Sequence, residues 1–138
     1  MAEFVLKNPY LMIGTTEVSE YVREISVELS KSQHESTASG DGAGNFLMGL
    51  QNNKVTVKLK QDYATNKIDA LLYAMWNTEV ATAINVRAVN TTIAATNPEY
   101  QMSAKIPDYS PINGAVDSLA EVSVTFICTT VLTLDTTP

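Results

Sequence analysis

A disulfide framework is excluded at once, because the chain holds a single cysteine, Cys128. Its place in the alternating run Val122, Val124, Phe126, Cys128 reads as a small buried hydrophobe and not as a reactive thiol. Histidine is equally scarce: His34 stands alone beside Glu35, and one histidine without cysteine partners builds no zinc site. Charged residues make up only 17% of the sequence against 45% apolar, so the polar complement is mostly Ser, Thr, Asn and Gln. That balance suits a β-rich protein, or one that hides surface in an assembly, and excludes a disordered chain. Cations fall short of anions, 9 against 15, for a net charge of -6. A fixed grip on nucleic acid needs Lys/Arg clusters that release counterions, and the overall balance opposes it. No apolar run approaches the ~20 residues of a membrane helix. The start, Met-Ala-Glu-Phe-Val-Leu-Lys-Asn-Pro, has no basic stretch followed by an apolar one, which predicts no signal peptide and no membrane partner.

Catalytic signatures are missing too. Gly40-Asp41-Gly42-Ala43-Gly44 lacks the Lys-Ser/Thr of a phosphate-binding loop and opens no helix, so it reads as a flexible loop. No G-x-S-x-G elbow presents a serine, and the carboxylates are scattered through loops and outward strand positions. No enzyme, metal site or cofactor is predicted. The sequon at Asn90-Thr91-Thr92 has no meaning without secretion.

What is present is strand periodicity. Tyr10 to Ile13 forms a short apolar strand, entered through Asn8-Pro9 and left at Gly14. Glu17 to Glu24 is polar and ambiguous, a possible turn of helix seating Tyr21 and Val22. Ile25, Val27 and Leu29 then alternate with Glu24, Ser26, Glu28 and Ser30, and Val55, Val57 and Leu59 with Lys54, Thr56, Lys58 and Lys60. The two strands fit as antiparallel neighbours, the acids of one meeting the lysines of the other. Each such pair contributes roughly 0.2–1 kcal/mol, against about 1.5–3 kcal/mol for burying each aliphatic side chain. Burial therefore sets the register. As a DNA patch the lysine run is thin: it lacks interleaved aromatics, and Glu24 and Glu28 neutralise it.

Between these strands lies a long loop, residues 31 to about 50, whose stretch Lys31–Asn45 carries three of the six glycines and no apolar side chain larger than alanine. A loop of that length is functional or disordered in a lone subunit. Phe46, Leu47, Met48 and Leu50 follow as a compact apolar cluster. One helix is predicted over residues 66–77: Ile68, Leu71, Leu72, Met75 and Trp76 form one stripe, Thr65 or Asn66 is the candidate N-cap, and Asp69 sits in the first turn. Trp76 is expected to bury a large area. Val80 to Ala95 predicts one or two strands with Arg87 on a polar or small face, and Thr129 to Leu134 is β-prone.

The last informative stretch runs from Asn97 to Phe126. Tyr100, Met102, Ala104 and Ile106 alternate with Gln101, Ser103 and Lys105. Pro107, Pro111 and Gly114 break the pattern, and Val122, Val124 and Phe126 restart it with Glu121, Ser123 and Thr125 opposite. The sum is about seven strands and one helix in a single domain over 1–138: mainly β, a β-sandwich or partly closed barrel with one flanking α-helix and a long loop.

Those residues carry a resemblance. The alternating strand with Tyr100, the Tyr109-Ser110-Pro111-Ile112-Asn113-Gly114 loop, the Leu119–Phe126 strand (LAEVSVTF) and, more weakly, Tyr10-Leu11-Met12-Ile13-Gly14 resemble the tail tube (major tail) protein of long, non-contractile-tailed bacteriophages. That family is similar in fold to the tube proteins of contractile tails and type VI secretion. Departing from its pattern, this chain reads Val116-Asp117-Ser118 where the family carries Gly-Asp.

The resemblance implies a structural virion protein, assembled in the bacterial host cytoplasm, that forms stacked hexameric rings around a β-lined lumen. It implies tape-measure and tail terminator or tip proteins as partners, and transient, non-specific passage of double-stranded DNA during ejection. Ser36, Gly40, Asp41, Gly42, Gly44 and Phe46 become the candidate inter-subunit or inter-ring loop, and Glu24, Glu28, Lys54, Lys58, Lys60 and Glu121 the candidate lumen face. An acidic lumen is the family expectation, whereas these six residues balance. A head–tail connector, a type VI tube-like protein and a monomeric β-barrel ligand-binding module stand as alternatives.

Overall fold

The computed structural model describes residues 6–36, 38–40, 42–44 and 46–137. Among them run β1 (Tyr10–Ile13), β2 (Thr16–Glu17), β3 (Val22–Glu28), β4 (Lys31–Glu35), β5 (Phe46–Gln51), β6 (Lys54–Lys60), α1 (Ile68–Thr78), β7 (Thr82–Arg87), β8 (Glu99–Lys105), β9 (Glu121–Cys128) and β10 (Thr133–Asp135). The ambiguous segment after β2 holds a short 3-10 turn, Ser19–Tyr21. Every strand pairing is antiparallel. The main sheet has the order β2-β1-β7-β8-β9-β6-β3, with β10 beside β8, while β4 and β5 form a separate hairpin.

Three rows of apolar side chains explain the register of the best-formed part. Across β3, β6 and β9 the backbone pairs Val27 with Val55 and Phe126, Ile25 with Val57 and Val124, and Val22 with Leu59 and Val122. The β6 and β9 members are essentially inaccessible to solvent. A slip of one residue turns all of them to water, at about 1.5–3 kcal/mol apiece, so burial locks the pairing. The predicted neighbours of opposite charge fall into place as a consequence, Glu24 opposite Lys58 and Glu28 opposite Lys54.

The sheet turns a corner between β8 and β9. Only Ala104–Cys128 and Lys105–Ile127 pair there, and β10 takes the edge at Glu99, Tyr100 and Gln101 instead. Both halves direct their apolar faces, with α1, into one cluster that includes Leu11, Ile84, Met102, Leu72 and Phe126. The result is a β-sandwich with one flanking helix. Among the described residues β2 and β3 are end strands, so the sheet stays open and does not close into a complete barrel.

Local chemistry sets the turns. Gly14 sits at φ +63 in the two-residue link between Ile13 and Thr16, the backbone region that tight hairpins require and glycine adopts without strain. Helix α1 buries Ile68, Leu72 and Met75 and ends at Glu79, which is left-handed and donates its N–H to Met75 O.

Several expectations are corrected. Residues 31–50 are not a loop throughout: β4 and β5 pair from Lys31–Gln51 to Glu35–Phe46, because backbone bonds form without an apolar side chain on β4. Leu29 is 52% exposed rather than inward, since β3 ends at Glu28 and the chain leaves the sheet there. Neither Thr65 nor Asn66 caps the helix. The capping position is Lys67, without a side-chain bond; Asn66 is left-handed at φ 59, and the amide of Asp69 donates to Asp62 O. Trp76 is 46% exposed, lying beside Tyr73 on the outer side of α1 instead of in the core.

Candidate assembly surfaces

The sheet face opposite the helix is wet. Strands β3, β6 and β9 present cross-strand rows there: Glu24–Lys58–Ser123, Ser26–Thr56–Thr125 and Glu28–Lys54–Ile127, with Lys60 opposite Glu121. The structure therefore brings Glu24, Glu28, Lys54, Lys58, Lys60 and Glu121 onto one face. Lys58 Nζ lies 3.5 Å from Glu24 Oε2, and Arg23, beside the β3 irregularity, reaches Glu121 at 3.8 Å. Both pairs are largely exposed, where ion pairs add at most about 1 kcal/mol.

The β4–β5 hairpin is the second surface. Phe46, Leu47, Met48 and Leu50 form an apolar stripe along β5, 50%, 63%, 57% and 83% exposed; Phe46 and Met48 share a face, and a register shift beyond Met48 brings Gln51 rather than Leu50 opposite Lys31. Such a stripe is unusual on a protein that works alone, and an isolated two-stranded ribbon is marginal in water. Gly49 lets the ribbon pack: a methyl group there would overlap Ser32 Oγ and crowd the His34 ring. Of the loop residues singled out, Ser36, Gly40, Gly42 and Gly44 are exposed between the two strands, and Phe46 opens β5. Asp41 lies outside the described residues.

A third surface, with no role evident from its sequence, is the proline-pinned loop from Pro107 to Ala120. Its base is tied down. Tyr109 Oη donates to Asp69 Oδ1 at 2.7 Å and accepts from Gln61 Nε2 at 3.2 Å, while Gln61 and Tyr63 both donate to Pro111 O. Burial and the bond to Asp69 push the Tyr109 phenol up to about 12. Beyond the anchored base, Ile112, Val116 and Leu119 are 88%, 99% and 56% exposed. The fold fixes the loop's base and leaves its apolar tip in water.

The Cys128 thiol is raised by burial and lies against Met102 Sδ, the opposite of an activated nucleophile. Among the described residues no three His, Cys, Asp or Glu side chains gather as metal ligands, and no helix is long and apolar enough to cross a membrane. The strongest polar network supports structure. Arg87 pairs with the buried Glu99, donates to Thr91 O and stacks over Tyr10, while Gln101 donates to the other Glu99 oxygen. The isolated cation in the β-prone run Ile84–Val89 was the available signal for it.

The sequence matches no protein-family profile, and no curated protein is similar to it in sequence. Solved structures do share the fold. A chain from the virion of a native gene transfer agent particle superposes with a TM-score of 0.66 at 12% identity, over 90% of this chain and 94% of that one. A chain from the tail of an empty gene transfer agent particle, with C6 symmetry, gives 0.62 at 12% identity over 82% and 81%. A chain of the 6-fold symmetrised anti-feeding prophage baseplate gives 0.57 at 8% identity over 99% and 98%. The fold is thus one found in tail and baseplate components of phage-like particles.

Proposed function

We propose that this chain is a structural tail protein of a virion, a tube subunit whose single domain over 1–138 assembles into stacked hexameric rings. The observation carrying this reading is the shared fold with a tail chain arranged in C6 symmetry, over most of both chains. Two properties of the isolated chain support it: an apolar hairpin stripe left in water and end strands with open edges. Ring closure removes both liabilities, since open edges and large exposed apolar patches otherwise promote uncontrolled association. In this reading the hairpin with Ser36–Gly44 bridges neighbouring subunits or rings. The wet face of β3, β6 and β9 lines the lumen, and double-stranded DNA passes along it. Tape-measure and terminator or tip proteins meet the tube at its bore and ends, and no cofactor takes part.

Negative-stain microscopy of the purified chain tests the reading. Long hollow tubes or stacked rings are expected, and persistent monomers at high concentration would overturn it. A second reading has its own support: the baseplate chain is matched over nearly the whole of both lengths. A baseplate subunit closes one ring and stops, so single rings that never stack would favour that role.

A further inference from the structure

Strand β6 has complementary chemistry at its two ends. Where it finishes, Gln61 donates to Ala120 O and Pro111 O and so ties down both ends of the Pro107–Ala120 loop. The tip of that loop is a tight turn: Ser118 N–H donates to Ala115 O at 3.2 Å, and Asp117 takes φ +70. The turn shows Val116 and Asp117 to water, with the exposed Ile112 and Leu119 before and after them in the chain. The loop carries two charges, Asp108 and Asp117, both acidic. Ahead of β6, a groove of about 510 Å³ opens at the root of the β4–β5 hairpin. Leu29, Met48 and Leu132 supply its apolar surface, and Lys31 is the one charge among its described lining residues. Lys31 is exposed and forms no ion pair among the described residues. The amides in the lining are already engaged. The buried Asn53 accepts from Ser30 N–H and donates to Gln51 Oε1, which also accepts from Leu132 N–H. The groove thus suits an apolar group flanked by an anion.

We infer that the loop tip of one chain seats in the hairpin-root groove of a second copy. Val116 and Leu119 pack against Leu29, Met48 and Leu132, and the Asp117 carboxylate meets the Lys31 ammonium. The two partners do not meet within one chain. They root at opposite ends of β6, whose seven residues at about 3.3 Å each set those roots roughly 23 Å apart. A knob at one end and a hole at the other make a heterologous contact, in which each copy uses a different surface from its partner. Such a contact always leaves one knob and one hole free, so it propagates instead of stopping at a dimer. Tyr109, Gln61 and Tyr63 hold the base of the loop before any partner arrives, so docking orders little further backbone. The apolar tip supplies the attraction, while the ion pair fixes register. The inference rests on the tube reading for its setting, where this contact stacks one ring on the next and gives the tube a direction.

The test mixes full-length chains carrying Val116→Cys with tagged chains carrying Leu29→Cys and bridges their thiols with a short bismaleimide. The unsubstituted chain, whose Cys128 lies against Met102, gives the background. Dimers of mixed composition are expected to dominate the denaturing gel. Their absence would overturn the proposal, and so would equal dimer yields from either variant alone. Micrographs of the unsubstituted chain record rings and tubes in parallel. Val116→Asp with Leu119→Ser should raise the concentration at which stacking begins by about tenfold or more, with the urea midpoint unchanged. Unaltered stacking in that variant would also count against the contact. Lys31→Asp and Asp117→Lys should each reduce stacking, and the chain carrying both should regain it. Mixed dimers without rings defeat the tube reading and leave the contact standing; stacked rings without mixed dimers do the reverse.

Discussion

Arg87 donates its Nε–H to Glu99 Oε2 at 2.7 Å across the β7–β8 ladder, and Glu99 is only 4% exposed. Arg87→Met should therefore cost about 3–5 kcal/mol, because it strands a buried carboxylate. The double variant Arg87→Met, Glu99→Leu should recover most of that loss. Urea unfolding of the wild type and the two variants measures it, and equal destabilisation in the single and double variants would contradict the assignment.

Phe126 faces Val55 across the β6–β9 ladder and is fully buried. Phe126→Ala is expected to lose about 3–5 kcal/mol through the cavity it leaves. The denaturant midpoint falls while the slope stays constant.

The hairpin separates folding from assembly. Phe46→Ser, Met48→Ser and Leu50→Ser together should shift stability by no more than about 0.5 kcal/mol per site, since these side chains are already in water. Tubes or rings should disappear from micrographs. Deleting Ser36–Gly44 is expected to act alike, and normal tubes from that deletion would remove the hairpin's role.

Alkaline pH should loosen the Pro107–Ala120 loop. The Tyr109 phenol is raised from its ordinary 10.0 to about 12, chiefly by burial and then by the Asp69 bond. A raised folded pKa stabilises fully below pH 10, and that contribution drains away as pH climbs through 12. Tyr21, held at about 12 by Asp62, acts in the same direction. The midpoint measured between pH 9 and 12 should fall, and Tyr109→Phe should flatten part of the decline while being less stable at pH 8.

Gly49→Ala tests the ribbon locally. The added methyl meets Ser32 and His34. Amide exchange should speed up in residues 31–51 and leave β6 and β9 unchanged.

Much of the β3–β6–β9 core was legible because alternation and burial reinforce each other there. Val55, Val57 and Leu59 are buried as their spacing implies, and the facing acids and lysines follow. The helix stripe was legible for the same reason, except at its margin, where Trp76 lies outside. The hairpin was not, because Lys31–Glu35 carries no apolar alternation and Phe46–Leu50 is apolar on both faces. Its backbone bonds leave no mark in side-chain period. The helix start escaped because a main-chain carbonyl, Asp62 O, does the work that a capping side chain would do. The residues proposed for the lumen share one face through strand register, whereas Arg23 joins them only through the β3 irregularity, which leaves no mark in side-chain period.

The corner at Ala104–Cys128 and Lys105–Ile127 has a mechanical corollary. Along β6 and β9, seven paired residues resist shear, but β8 and β9 meet in only two ladder pairs, extended by the bonds of Thr129 and Thr130 to the Ser103 backbone. Sliding of one half past the other is opposed mainly by interlocked side chains. Torsional strain on the molecule will gather along that seam before any ladder gives way.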